Sequence, residues 1–492
     1  EISTRDWSSD VCSSDLYLNR RMMLSMQQIS HRQDSPAWRW LLATVFLFPI
    51  LPEYISPFLL FAAFIVFKVQ WSREGRKAKV GTIGKVVIAF MSLALLSVFW
   101  SDTKLDTLGT AGLWWAVFLI LVMIYNLADT RRKIDDVLKA AVYSGAVNGV
   151  VGTIQVCTYA LSKAGYISKS LVLPTPIYKT LDKTVYTWLP FEIRTNTFSD
   201  RASGFFSNPN LLSTYLIFVY PLSVYLFLNA KTKKQKILYL FINLFISAGI
   251  SSTMTRAGCV IALAGWVFMF IVLIKRHGKT LFSILIPTLL IIVPSLLTRY
   301  GIISLPVHES AGTAAPPHET AAAAAQAAKQ SSANHFVIWE SVIDYITDNV
   351  RVFLGGLGFG CESTGDFLME SYGLDKPHAH NFILEIWAEL GVIGIAALFA
   401  VIIITVITLF KTKAPSGKRY DLIFYVFTSL IMFLGFGLTD YIFNSPKQII
   451  LFMILIGLTQ AISRCYEENE PVQIEIRQQE PSDTNERIEM LT

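Results

Sequence analysis

The sequence predicts an all-α, polytopic membrane protein with about twelve transmembrane helices, on three observations. Of its 492 residues, 53% are hydrophobic and only 16% are charged, against roughly 25% charged in soluble domains. Apolar runs long enough to cross about 30 Å of hydrocarbon, roughly 17–25 residues each, recur from Trp38 to Ile462. The basic residues between those runs gather in alternate loops.

The runs lie near 38–52, 55–69, 86–100, 109–127, 138–160, 210–229, 237–253, 257–274, 281–297, 382–410, 421–438 and 447–463, the first two short enough to make one re-entrant hairpin. Residues 1–16 (EISTRDWSSDVCSSDL) are polar, have no continuation into the protein and resemble translated sequencing-adapter sequence, so they are set apart from the fold. A cytoplasmic N-terminal segment, 17–37, is followed by transmembrane helices across 38–297, with an outer loop at 161–209 that carries Trp188, Phe191, Arg194 and Arg201. A large extracytoplasmic loop, 298–380, separates these from the last helices across 381–464, and an acidic tail, 465–492, is expected to be disordered in the cytoplasm. No cleavable signal sequence is read; the first helix is expected to direct insertion. The large loop opens with the low-complexity insert AGTAAPPHETAAAAAQAAKQSSA, 311–333, a flexible or partly helical spacer. In the following NHFVIWESVIDYITDN, the residues Phe336, Trp339, Ile343 and Ile346 share a helical face that lies on the membrane surface or caps the outer cavity.

The basic loops set the orientation. Lys68, Arg73, Arg76, Lys77, Lys79 and Lys85 fill one; Arg131, Arg132 and Lys133 another; Lys231, Lys233, Lys234 and Lys236, then Lys275, Arg276 and Lys279, then Lys411, Lys413, Lys418 and Arg419 fill the rest. The positive-inside rule makes these loops cytoplasmic, with both termini inside, and Arg20, Arg21 and Arg32 agree. The same residues leave no reason to invoke a nucleic-acid partner. Cys12, Cys157, Cys259, Cys361 and Cys465 offer no outer pair, so neither a disulfide framework nor a thiolate metal site is expected.

Three polar segments interrupt this pattern at the outer face. In RASGFFSNPNLLSTYLIFVYPL, Arg201 precedes Asn208, a good N-cap, and Pro209, a good first helical residue. The positive end of that helix, with Arg201 beside it, is an anion site or a capped terminus with a snorkelling arginine. In SSTMTRAG, 251–258, the chain must break, because 237–274 as one helix would be about 57 Å long. Arg256 then opens the next helix, as an anion ligand or a boundary arginine. In HAHNFILEIWAELGVIG, His380 and Asn381 precede a further inward-running helix. GGLGFG, 355–360, offers close backbone approach to a ligand but lacks the lysine and strand of a phosphate loop.

Two arginines and a histidine from distant segments thus meet at one face. Arginine forks match phosphate oxygens and neutralise charge developing on a diphosphate leaving group. A histidine, ordinarily titrating near 6.5, accepts a proton from an attacking hydroxyl. The chain has no D-x-D pair and no H-E-x-x-H set, so no metal and no cofactor are expected. Nucleotide sugars are absent outside the cell, which points to a lipid-carried donor. A glycan exporter or flippase without catalysis is the alternative of another class, but it calls for polar residues along the midplane, where these spans are nearly free of charge.

These segments resemble the O-antigen ligase and polymerase family of bacterial membrane proteins. RASGFFSNPNLLSTYL looks like its arginine, glycine and Asn-Pro-Asn segment, and STMTRAG like its second arginine motif. HNFILEIWAELGVIG fits the pattern of His-Asn, nine residues and Gly-x-x-Gly, at His380, Asn381, Gly391 and Gly394; Ile395 departs from the small polar residue that the ligase pattern carries next. The resemblance implies a GT-C-like helical glycosyltransferase of the bacterial cytoplasmic membrane, its active site facing outward, working without a metal on undecaprenyl-pyrophosphate-linked glycans. Arg201 and Arg256 would then bind the donor pyrophosphate, and His380 would activate or orient the acceptor hydroxyl, with inversion at the anomeric carbon. The long basic inner loops look like the teichuronic acid polymerase branch, so the expected function is polymerisation of a cell-surface polysaccharide, with ligation to a lipid or protein acceptor as the alternative. Asn381 belongs to the motif and is expected to bind substrate. Asn208 and Asn210 bind sugar hydroxyls or merely cap the helix, and Asp440 is an acceptor-side group or a solvated loop carboxylate. The partners expected are the donor, a glycan acceptor and membrane lipid.

Overall fold

Each apolar run of the sequence is a helix in the computed structural model, which describes residues 35–53, 55–177, 199–299, 321–374, 376–412 and 422–479. In chain order the helices are α1 (Pro36–Leu47), α2 (Ser56–Arg73), α3 (Gly81–Leu96), α4 (Lys104–Leu127), α5 (Arg131–Lys163), α6 (Pro209–Leu228), α7 (Lys233–Ser252), α8 (Arg256–His277), α9 (Lys279–Arg299), α10 (Ala321–Asp348), α11 (Val350–Gly355), α12 (Cys361–Tyr372), α13 (Phe382–Lys411), α14 (Leu422–Gly437) and α15 (Pro446–Gln479). No strand occurs among the described residues. The protein is an all-α, polytopic membrane protein. Nine of these helices, among the described residues, are long and apolar enough to cross a membrane: α3 to α9, α13 and α15. The other three expected runs are α1 with 12 residues, α14 with 16, and α2, whose 18 residues end in the polar stretch KVQWSR; at 1.5 Å per residue α1 reaches about 18 Å. The N-terminal residues 1–34, with Cys12, Arg20, Arg21 and Arg32, lie outside the described residues, as do Trp188, Phe191 and Arg194.

The helix at the centre is α6, whose residues are buried without interruption from Leu211 to Phe227. A helix apolar on every side belongs in the middle of a bundle, and α5, α7, α8, α14 and α15 pack round it. Its few polar side chains find partners inside. Tyr215 donates to the Ala141 carbonyl at 2.8 Å, and Ser223 accepts from Asn243 at 2.8 Å. The basic loops sit at the far end of α6 from Arg201. Arg131 donates to Tyr225 at 2.7 Å and to Tyr466, whereas Arg201 donates to Asn210 at the N-terminal end.

The chain breaks where bilayer thickness requires it. α7 ends at Ser252, Met254 takes a φ of +50°, and α8 starts at Arg256. A second break is inside α13, where Gly391 has φ 65° and ψ −169°. Interrupted backbone at membrane depth must be satisfied by protein, and the GGLGFG segment does this. Leu357 N–H donates to the Ala388 carbonyl at 2.8 Å, and Gly358 N–H to that of Glu389 at 2.9 Å. The segment read as a possible ligand loop therefore packs against the broken helix. A Cβ on Gly391 would lie 2.2 Å from the Leu354 carbonyl oxygen, so both its φ and its surroundings demand glycine.

Two further readings are corrected. On α10 the buried residues are Ile338, Val342 and Ile346, while Phe336 is 65% and Ile343 40% exposed. Overlapping helical faces share members, and the period alone did not choose between them. α15 runs on to Gln479, past the expected start of the disordered tail at 465, since Glu, Gln and Arg are good helix formers.

A buried polar cluster ties the ends of α1, α6 and α15 together. Glu53 accepts from the Ser207 hydroxyl at 2.7 Å and from Ser445 at 3.2 Å. Lys447, fully buried, donates to the Phe205 carbonyl at 2.7 Å and the Pro49 carbonyl at 3.2 Å, with its ammonium 4.4 Å from the Phe206 ring centroid. This holds the loop from Arg201 to Asn208 against the bundle. Lys447→Met strands two carbonyls and should cost about 1–3 kcal/mol, read as a lower unfolding temperature in detergent and faster tryptic cleavage at Arg201. Gly391→Ala should cost a similar amount, about 1–3 kcal/mol or more, on the same measurement.

Candidate functional site

The arginine side of the site is built on capped helix starts. Asn208 accepts from the backbone N–H groups of Asn210 at 2.9 Å and Leu211 at 3.0 Å, and Pro209 is the first residue of α6. Arg201 lies across this terminus. Its Nε donates to the Thr253 carbonyl at 3.1 Å, and one terminal nitrogen donates to Asn210 Oδ1 at 3.0 Å and Thr255 Oγ1 at 3.3 Å. Arg256 follows Thr255 as the first residue of α8. Both arginines therefore sit where two helices point their positive ends to the same end of the bundle.

The histidine side is a short turn, His378 to Asn381, before α13. Asn381 caps α13, accepting from Ile383 N–H at 2.9 Å and Leu384 N–H at 3.3 Å, while its own amide donates to the Leu438 carbonyl at 3.3 Å. His380 adopts a φ of +52°, a conformation that a non-glycine residue keeps only when its surroundings enforce it. Four contacts do so. Glu385 accepts from Ala379 N–H at 2.6 Å, Trp339 donates to the Ala379 carbonyl at 3.0 Å, His380 N–H donates to His378 Nδ1 at 3.2 Å, and the His335 ring stacks on that of His380 with centroids 4.9 Å apart. Beneath the turn, Tyr441 donates to the buried Glu389 carboxylate at 3.2 Å.

Asp440 joins the two sides. It is 8% exposed, not a solvated loop carboxylate. Oδ2 accepts from Asn210 Nδ2 at 2.8 Å, and Oδ1 lies 3.1 Å from His380 Nδ1. One chain of hydrogen bonds thus runs from Arg201 through Asn210 and Asp440 to His380. Burial pushes the Asp440 carboxyl upward, but the His380 hydrogen bond, the two imidazoles and Asn210 outweigh it and hold its pKa below the ordinary value. Burial, followed by the His380 charge, lowers His378 to about 4, so His378 is neutral near pH 7. Burial also lowers His335, with the charges of His380, Arg256 and Lys376 acting the same way against Asp440.

Asp440 as carboxylate assigns the hydrogen on His380 to Nδ1, which leaves Nε2 as the proton-accepting nitrogen. The arrangement offers an imidazole base oriented by a carboxylate, next to an arginine-lined anion site. Among the described residues, His378, His380 and Asp440 form the one group of three spaced for a metal ion, with ligand atoms within 4.8 Å of one another. Two of the candidate nitrogens already have partners: Nδ1 of His378 accepts from the His380 N–H, and Nδ1 of His380 bonds to Asp440.

Of the residues singled out in the sequence, Arg201, Asn210, Asp440 and His380 come together in direct contact, and Arg256 adjoins them. Asn208 and Asn381 serve as caps. His335, His378, Trp339, Thr255 and Glu385 were missed. Glu385 and Glu389, two carboxylates in an otherwise apolar span, were the available signal; His335 lies in the loop next to a low-complexity insert, where no spacing links it to residue 380.

The profile of the family described as O-antigen ligase matches residues 241–399. No curated protein matches the chain. The matched segment includes Thr255, Arg256, His335 and His380, while Arg201, Asn210 and Asp440 lie outside it and reach it through the Arg201–Thr255 and Asp440–His380 bonds. Over this segment the chain is similar to the O-antigen ligase family, which supports a membrane glycan-processing enzyme in general.

Proposed function

We propose that the protein is a polysaccharide polymerase that transfers a glycan from an undecaprenyl-pyrophosphate-linked donor to the hydroxyl of an acceptor glycan. The observation that carries this reading is the hydrogen-bonded chain from Arg201 to His380, which sets a cationic subsite and a general base side by side. The donor diphosphate lies against Arg201, Arg256 and the N-termini of α6 and α8. The acceptor hydroxyl gives its proton to His380 Nε2 as its oxygen bonds to the anomeric carbon. The bond from that carbon to phosphate breaks, and its electron pair leaves on the diphosphate, whose growing charge the arginines stabilise. Asp440 stabilises the imidazolium that forms, and attack opposite the leaving group inverts the anomeric centre.

The described basic loops lie at the other end of the bundle from this site, which under the positive-inside rule supports a reaction at the extracytoplasmic face of the bacterial cytoplasmic membrane. The arginines supply the charge that a divalent ion supplies elsewhere, so no metal is needed in this scheme. The basic-loop pattern again favours a polymerase of the teichuronic acid type.

The test is a reconstituted reaction with a synthetic undecaprenyl-pyrophosphate oligosaccharide. Transfer should persist in EDTA and yield a ladder of longer lipid-linked chains. Arg201→Ala and Arg256→Ala should each lower kcat by about 10²–10³-fold, and His380→Ala by about 10²–10⁴-fold. Transfer only to a separately supplied acceptor would make the protein a ligase; movement of intact donor across the bilayer with no new glycosidic bond would make it an exporter.

A further inference from the structure

One face of α10 grips the histidine turn at two consecutive residues. His335 and Trp339 are one helical turn apart, so their side chains leave the same face. The ring of His335 lies over that of His380 at 11° between planes and 4.9 Å between centroids, and Trp339 Nε1 donates to the Ala379 carbonyl at 3.0 Å. Ile338, Val342 and Ile346, buried on the adjoining rows of the helix, pack in one cluster with Phe367, Leu368, Ala379 and Ala388. The helix that delivers His335 is thus seated by apolar burial on the base of α13.

The His380 ring is bounded on three sides. Asp440 takes Nδ1, the His378 ring meets it at 64° with centroids 4.2 Å apart, and His335 covers one face. Asp440 and His378 fix where the ring sits and one edge of it. A hydrogen bond at Nδ1 leaves rotation about that bond open, and the stacked partner closes it. We propose that His335 is a positioning residue for His380: its imidazole is the platform that sets the plane of the His380 ring, and α10 is the clamp that brings it there.

This inference rests on the reading of His380 as the acceptor of the hydroxyl proton. In that step the proton passes to His380 Nε2, the acceptor oxygen bonds to the anomeric carbon, and the diphosphate departs with the electron pair. The imidazolium so formed lies against the face of His335. An aromatic face attracts a cation, whereas a second cation would repel it. Burial and the charges of His380, Arg256 and Lys376 lower the His335 pKa, with Asp440 opposing them, which keeps the platform neutral. Its role is therefore to be a ring, not to carry a proton.

The test compares intact wild-type protein, His335→Ala and His335→Phe in liposomes with the lipid-diphosphate oligosaccharide. His335→Ala should lower kcat about tenfold while the donor KM stays within about twofold, and His335→Phe should restore kcat to within about threefold of wild type. A phenylalanine variant as impaired as the alanine one would overturn the platform in favour of a chemical role for the nitrogen. A raised donor KM at unchanged kcat would overturn it in favour of donor binding. A second readout needs no turnover: modification of His380 by diethyl pyrocarbonate, followed by peptide mass spectrometry, with His277 at the other end of α8 as the internal reference for an intact fold. His380 should react several-fold faster in His335→Ala and at about the wild-type rate in His335→Phe. Equal rates in all three proteins would refute the platform. Wild-type protein that transfers no glycan yet shows this labelling pattern would sink the transferase reading and leave the platform standing.

Discussion

Asp440 accepts hydrogen bonds from two ends of the site at once, from Asn210 at the start of α6 and from His380 before α13. The rest of the arrangement depends on that sharing. A buried carboxylate is costly unless its lone pairs are used, and the partners that use them here are the residues that place the arginine side and the histidine side. Asn210 faces Asp440 with its amide nitrogen and Arg201 with its oxygen, so the orientation of one side chain is set by both neighbours. The carboxylate in turn selects the His380 tautomer whose Nε2 is left to accept a proton. The candidate anion site and base are thereby joined in one hydrogen-bonded chain, whose Asn210–Asp440 link spans 230 residues of sequence.

The bilayer explains why the site lies where helices break. In hydrocarbon every backbone N–H and C=O needs an internal partner, so irregular backbone survives only where other segments satisfy it. The break between α7 and α8 sends the Thr253 carbonyl to Arg201, and the break at Gly391 sends the carbonyls of Ala388 and Glu389 to the glycine segment at 357–358. The same interruptions free helix N-termini for an anion. Structural necessity and chemical usefulness coincide at these points, and the clamp of α10 on the histidine turn extends that logic to the large loop.

Much of the fold was legible because membrane thickness leaves few options. Every apolar run is a helix, and the break near Arg256 follows from arithmetic on residues 237–274. Helix α1 stops earlier than its apolar run, because hydropathy reports composition and says little about where a helix stops. The candidate site was legible where polar groups gather just before or at helix starts, as at Arg201, Arg256 and His380. Asn208 and Asn381 were ambiguous because a cap and a ligand want the same side chain. His335 was invisible, since nothing local to NHFVIWE says that its ring will rest on a residue 45 positions later. Glycines 356, 358 and 391 read as ligand or motif residues in sequence, whereas in the fold Gly356 and Gly391 lie against the backbone of 389–390 and 354–355, and the Gly358 N–H donates to the Glu389 carbonyl.

If Asp440 acts through His380, a double-mutant cycle on kcat will show the two substitutions to be coupled. Asp440→Asn in the wild-type background should lower kcat by on the order of 10²-fold or more. In the His380→Ala background the same change should cost less than about threefold, because the base that Asp440 orients is gone. A loss of the same size in both backgrounds would contradict the account, since Asp440 would then act on the reaction independently of His380.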